Sequence, residues 1–308
     1  MKITILGTGA MACLIGSRLA AFADVALLGT WLDAIQAIRR DGIRVRYDDG
    51  VKIASVLATD SPEACRGSDL VIVLVKSQQT RSAALRAGEI LKPDGLALTL
   101  QNGLGNREAV VEVFGAERSA AGVTTMGAYV ESPGAIRFGG EGVVWLERHP
   151  RIQPVFDLFQ QAGFEVGITD DLPSLQWGKL VVKSGMNPLT ALLRVPNGRL
   201  ADRPALRSLY LDVITETAAV AKAAGISLPY ADTAKMAIDV ATRTADNHSS
   251  MMQDIENGRE LEFEAITGSI LQTAERAGID APLNRMLYRL MKAAMYGQDM
   301  RDGQELPD

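Results

Sequence analysis

The segment Ile3-Thr4-Ile5-Leu6-Gly7-Thr8-Gly9-Ala10-Met11-Ala12 reads as strand, turn and helix. Ile3 to Leu6 suits a short strand buried on both faces, and the apolar period from about Met11 to Phe22 suits the helix that the turn opens. Glycine in such a turn lets the backbone approach a pyrophosphate, whose charge the N–H groups and the positive helix end stabilise. Ala12 at the third position is small enough for close helix–strand packing. Gly7, Thr8, Gly9, Ala10, Met11 and Ala12 are therefore expected to bind a dinucleotide. A bare tight turn is the alternative, and the position directly after an apolar strand argues against it.

The next strand, Val25 to Leu28, bears on cofactor choice. An acid at its end would bind the ribose hydroxyls of NAD, and an arginine would favour the NADP phosphate. Leu28-Gly29-Thr30-Trp31-Leu32-Asp33 has neither at the expected place. Asp33 reads as a first-turn acid three residues after a Thr30 cap. NADP(H) is admitted on this reading, and NAD(H) stays open.

Short apolar runs alternate with helical periods through the first half. Trp31 to Arg40 is amphipathic and stops at Asp41-Gly42. Ile43 to Asp48 and Val51 to Ala58 resemble a hairpin around Asp48-Asp49-Gly50. Leu70 to Val75 is a continuous run of the kind found in central parallel strands. Arg81 to Leu91 reads as helix, and Leu96 to Leu100, Gly122 to Ala128 and Ala135 to Trp145 read as strands. This order implies an α/β fold, a Rossmann-type doubly wound parallel sheet with right-handed crossovers. From about Leu172 the periods are helical: Leu175 to Leu192, Pro204 to Ala224, Pro229 to Thr242 and Ser249 to Ala277. The expected division is residues 1–170, a dinucleotide-binding domain, and 171–308, an all-α domain for substrate and catalysis. The polar tail Gly297 to Asp308 is expected to fray.

Composition narrows the function. The 308 residues are 47% hydrophobic and 22% charged, enough apolar material for a sizeable core. With 32 basic against 37 acidic residues the net charge is -5, unlike a nucleic-acid surface. Two cysteines, Cys13 and Cys65, admit one disulfide at most and suit a reducing cytoplasm. His149 and His248 alone do not build a histidine-rich metal site, so no metal is expected. The apolar start is not read as a signal peptide, because its first run is short and Arg18 interrupts the next. No run reaches the roughly eighteen apolar residues of a spanning helix, so no membrane partner is expected. The long helices of the second half leave a homodimer open.

Two polar residues end buried strands, Lys76 and Asn102, where open α/β sheets bind ligands. Lys76 suits a phosphate or carboxylate, or simply solvent. Asn102, between Gln101 and Gly103-Leu104-Gly105, suits a nicotinamide ribose or a substrate. In the second half, Lys179, Lys183 and Asn187 share a helix face at i, i+4 and i+8. Periodicity alone favours a stripe that faces water. The apolar Leu180, Val181, Val182 and Met186 around it point to burial, where desolvation and a like charge would lower a lysine pKa. Such a lysine can hand a proton to an oxygen that becomes an alkoxide as hydride arrives. A serine of Ser249-Ser250 suits a helix cap. Glu260, Glu262 and Glu264 read as a solvated acidic face.

Taken together, these residues resemble the ketopantoate reductase family over nearly the whole chain. The matching pieces are the Gly7 to Ala12 turn, Val75-Lys76, Leu100 to Gly105, Trp177 to Thr190 with Ala191, Pro196-Asn197-Gly198, His248 to Met251 with Gln253-Asp254, and Glu262. The resemblance implies a Rossmann domain, a helical domain and an active site in the cleft between them. It implies NADPH-dependent reduction of 2-dehydropantoate to pantoate in vitamin B5 synthesis. By position, Lys179 matches the proton-donating lysine and Glu262 a cleft glutamate with catalytic and cofactor contacts. Lys76, Asn102 and Ala128 match cofactor positions; Asn102, Asn187, Asn197 and Ser250 match positions that hold cofactor or substrate. Lys183 stands where the family usually has a substrate-binding asparagine, which would suit a more acidic 2-keto acid. Thr30 stands where an arginine often grips the NADP phosphate, and Thr267 replaces an asparagine. Two other readings remain: a D-2-hydroxyacid dehydrogenase using NAD or NADP, and a non-catalytic dinucleotide sensor.

Overall fold

The computed structural model describes residues 1–299, and the chain divides after Leu172 into two compact units. The first unit runs β1 (Lys2–Leu6), α1 (Ala10–Leu19), β2 (Asp24–Leu28), α2 (Leu32–Asp41), β3 (Ile43–Tyr47), β4 (Gly50–Ala54) and β5 (Leu57–Thr59). It continues with β6 (Ser68–Val73), α3 (Thr80–Arg86), β7 (Leu91–Thr99), α4 (Asn106–Phe114) and β8 (Ser119–Thr124). It closes with β9 (Gly127–Ser132), β10 (Ala135–Gly140), β11 (Val143–Glu147), α5 (Gln153–Gln161) and β12 (Glu165–Thr169).

The main sheet has eight strands in the order β12-β11-β8-β7-β6-β1-β2-β5. From β8 to β5 every neighbouring pair is parallel, and only β11 against β8 is antiparallel. β1 has β2 on one side and β6 on the other, so strand addition reverses there and opens a crevice at the carboxyl ends. Alternate residues feed opposite faces. Ile3, Ile5, Leu70 and Ile72 join one buried cluster; Leu6, Val71 and Val73 join the other. Burial on both faces accounts for the unbroken apolar run at Leu70 to Val75.

Several boundaries differ from the sequence reading. The strand expected over Val51 to Ala58 is two: β4 pairs with β3, whereas β5 pairs with β2 in the main sheet. The runs Gly122 to Ala128 and Ala135 to Trp145 also change sheets midway. β8 and β11 belong to the main sheet, while β9 and β10 belong to a four-stranded sheet, β4-β3-β10-β9, that packs on α1. The two crossings touch: Thr125 N donates to Val143 O at 3.1 Å, and a Cβ on Gly142 would lie 2.6 Å from Met126 N. Strand-forming residues resume directly after each break, so the sequence reading runs through both, although Gly139-Gly140-Glu141-Gly142 marks the second with turn residues. The helix expected over Arg81 to Leu91 ends at Arg86, and Leu91 already starts β7. Trp31, not Thr30, caps α2, although Asp33 does lie in its first turn. Cys13 and Cys65 are both free and buried.

The second unit consists of α6 (Leu172–Leu193, its first residue still in the first unit), α7 (Arg199–Asp202), α8 (Pro204–Ala223), α9 (Thr233–Arg243), α10 (Ser250–Glu256), a π-helical turn (Glu264–Gly268), α11 (Ser269–Arg276) and α12 (Pro282–Asp299). Its core gathers Val181, Met186 and Leu189 of α6 with Tyr210, Val213 and Ile214 of α8. The helix expected over Ser249 to Ala277 is broken, because α10 ends near Gly258 at φ +61°. The tail expected to fray from Gly297 is helical through Asp299, and the rest lies outside the described residues. No helix among the described residues is long and apolar enough to cross a membrane.

Candidate active site

The glycine turn is closely packed at Gly7 and open at Gly9. Gly7 sits at φ +119°, and a Cβ there would lie 3.0 Å from Leu74 O on β6's extension. Only glycine suits both the dihedral and the approach. Thr8 is buried against Gly29, where a Cβ would come within 2.9 Å of Thr8 Cγ2. Gly9 is different: nothing lies within 4 Å of a Cβ built on it. It heads α1 without a side-chain cap. The first-turn amides of Ala10, Met11 and Ala12 thus meet open space above Gly9, which fits an anionic phosphate. Buried Ala12 packs in the core beneath.

Lys76 and Asn102 follow β6 and β7, each half-buried, and their loops meet where Ser77 Oγ donates to Asn102 O at 3.2 Å. Ala128 lies elsewhere, on β9 of the smaller sheet, paired with Phe138 and partly buried against the core of α1. Thr80 and Asn106, which the sequence reading passes over, tie the Lys76 and Asn102 loops together. Their signal was faint, a threonine and an asparagine at helix starts.

In the helical unit, α6 carries Lys179, Lys183 and Asn187. The helix sits deep because two glycines let it. A Cβ on Gly178 would lie 2.6 Å from Pro229 Cγ, and one on Gly185 2.7 Å from Tyr210 Cδ2. The stripe is not simply solvated, since Asn187 is 2% exposed and both lysines are partly buried. Burial holds the Lys179 ammonium well below the usual lysine range; the Lys183 charge lowers it further, and the Glu262 carboxylate opposes both. Glu262 lies just before the π-helical turn, a geometry common at functional sites.

Ser250 joins the same group, its Oγ accepting from Asn187 Nδ2 at 3.4 Å. Ser249 is the cap of α10, accepting from Met252 N at 3.1 Å, and Thr190 Oγ1 of α6 donates to it at 2.7 Å. That bond fixes the start of α10 against α6. Asn197 stands apart, bound to the turn before α10 through Asn197 Nδ2 to Thr244 Oγ1 at 3.0 Å, with its Oδ1 buried and without a protein partner. Of the three acids, Glu260 and Glu264 are exposed and Glu262 is half-buried. Among the described residues no group of three His, Cys, Asp or Glu gathers as a metal site would need.

Two family models match the chain. The family model for Ketopantoate reductase PanE/ApbA matches residues 3–151, and that for Ketopantoate reductase PanE/ApbA C terminal matches residues 171–295. The chain belongs to the ketopantoate reductase family. A 2-dehydropantoate 2-reductase of Pyrococcus horikoshii is 34% identical over 299 residues, covering 95% of this chain and 97% of the relative. A PanE/ApbA family ketopantoate reductase from Ralstonia eutropha superposes with a TM-score of 0.90 at 32% identity, over 97% of this chain and 100% of that one. D-Mandelate dehydrogenase, in a ternary structure with NADH and anilino(oxo)acetate, shares the fold at TM-score 0.89 and 24% identity, over 97% of this chain and 100% of that one. As a ketopantoate reductase family member the chain is an NAD(P)H-dependent 2-keto acid oxidoreductase.

Proposed function

We propose that the enzyme reduces 2-dehydropantoate to pantoate with NADPH, in pantothenate synthesis, with Lys179 as proton donor. The observation that carries the proposal is the partly buried Lys179 ammonium on α6, its proton loosened by burial and Lys183. The glycine turn would hold the pyrophosphate on the α1 amides, with Lys76, Asn102, Ala128 and Glu262 in further cofactor contacts. Bound nicotinamide supplies the hydride. Lys179 Nζ gives its proton to the ketone oxygen as negative charge builds there, leaving a neutral amine that solvent reprotonates. Asn102, Asn187 and Ser250 orient the keto acid by hydrogen bonds. Glu262 partly opposes the loss of that proton. The free, buried thiols of Cys13 and Cys65 suit work in a reducing cytoplasm.

One feature favours a second reading. Lys183 puts a second cation on the stripe beside Lys179, which suits a different 2-keto acid and a D-2-hydroxyacid dehydrogenase using either cofactor. A panel of 2-keto acids tested for NADPH and NADH oxidation separates the two. The proposal expects 2-dehydropantoate with NADPH to give the highest kcat/KM. Faster turnover of another 2-keto acid would replace it with the second reading, and no turnover with any would leave a binding protein.

A further inference from the structure

The loops after β6 and β7 are tied together by side chains that are almost wholly buried. Gln101 is 9% exposed, Asn106 6% and Thr80 1%. Their hydrogen bonds run in one direction. Thr99 Oγ1 donates to Gln101 Oε1 at 2.8 Å; Gln101 Nε2 donates to Thr80 Oγ1 and to Val75 O, both at 2.7 Å. Thr80 Oγ1 donates to Asn106 Oδ1 at 2.9 Å, and Asn106 Nδ2 donates to Asn102 O at 2.8 Å. Every member has a partner, so the amide orientations are fixed by the network itself.

The chain of contacts ends on the glycine turn. Val75, whose carbonyl Gln101 holds, follows Leu74, and the Leu74 carbonyl is what Gly7 packs against. At the other end, Asn102 is followed by two glycines with positive φ, Gly103 at +80° and Gly105 at +85°. Such a loop has many conformations open to it. The Asn106 side chain reaches back four residues to close it.

We propose that Gln101, Thr80 and Asn106 form a clamp that sets Asn102 and Lys76 at a fixed place relative to the glycine turn, and that they are positioning residues for dinucleotide binding. The inference rests on reading the first unit as the dinucleotide-binding one. A clamp that merely stabilised the unit would change melting but not binding by the folded molecules.

The test uses the full chain and titrates NADPH by fluorescence, with thermal unfolding measured in parallel. Thr80→Val removes the hydroxyl that relays from Gln101 to Asn106, and Asn106→Asp removes the donor to Asn102 O. An acid at the start of α4 also suits the helix dipole, which favours folding of that variant. Both should raise the NADPH Kd about tenfold, the factor one lost hydrogen bond gives. Thr80→Ser restores the hydroxyl and should bind as the unmodified protein does. Unchanged Kd in both Thr80→Val and Asn106→Asp, with only a lower Tm, would overturn the positioning role and leave the cofactor reading standing. If the unmodified protein binds neither NADPH nor NADH, the cofactor reading fails first and takes the clamp's role with it.

Discussion

Among single residues, the proposed chemistry rests on Lys179 as donor and on the two glycines of the turn. A donor whose pKa is held low loses its proton as pH rises through that low value, so reduction should slow toward alkaline pH earlier than an ordinary lysine would dictate. Lys183→Met removes the like charge, raises the Lys179 pKa and should move the falling limb to higher pH. Glu262→Gln removes the opposing carboxylate and should move it to lower pH. A pH–rate profile that neither change shifts would contradict this account of the site. The glycines offer a second contrast. Gly7→Ala meets a forbidden dihedral and the Leu74 carbonyl, and should cost about 1–3 kcal/mol of stability by denaturant titration. Gly9→Ala sits at φ -80° with open space around it, so the fold should lose about 1 kcal/mol at most. Its methyl group would occupy the phosphate's approach, and dinucleotide affinity should fall. The glycines were legible in the sequence by their place after a strand, and the shared face of Lys179 and Asn187 by spacing, while its burial showed only in the apolar residues around it. Thr80 and Asn106 were not legible, because a buried hydrogen bond between loops far apart along the chain leaves no local pattern.

Helices and strands were legible where the local period matched a single environment. β1 and β6 are continuous runs buried on both faces and α8 packs on the helical core, and the sequence reading places all three to within a few residues. It fails where one run serves two sheets, at Thr125-Met126 and at Glu141-Gly142, since strand-forming residues resume directly after each break. It also does not single out α4, α5, β12 and α12. The start of α12 shows why local reading falls short: its cap is remote. Glu216 of α8 accepts from Leu283 N at 2.9 Å and from Asn284 N and Nδ2 at 2.8 Å each. Glu216→Ala should therefore destabilise the helical unit by about 1–2 kcal/mol, as the loss of a helix cap does. It should leave the NADPH Kd alone. A matching loss of NADPH affinity would show that this cap matters beyond the helical unit.

At the scale of the whole molecule, the division of the chain follows a change of hydrophobic period, from strands alternating with helices to helices alone. That change is visible in the sequence, which explains why the α/β class and the helical second half are legible there. Neither unit is held by a disulfide. Unfolding midpoints with and without reductant should coincide, and Cys13, its thiol pushed up to about 12 by burial, should resist thiol reagents until the protein unfolds. A reductant-sensitive midpoint would contradict the free-thiol state. The enzyme's reading as a keto acid reductase joins a dinucleotide turn in the first unit to a proton donor in the second. Lys179→Ala, assayed for NADPH oxidation with 2-dehydropantoate and for NADPH Kd, tests that union. The account predicts turnover lower by about 10²- to 10⁴-fold with cofactor affinity retained; turnover equal to that of the unmodified enzyme would contradict it.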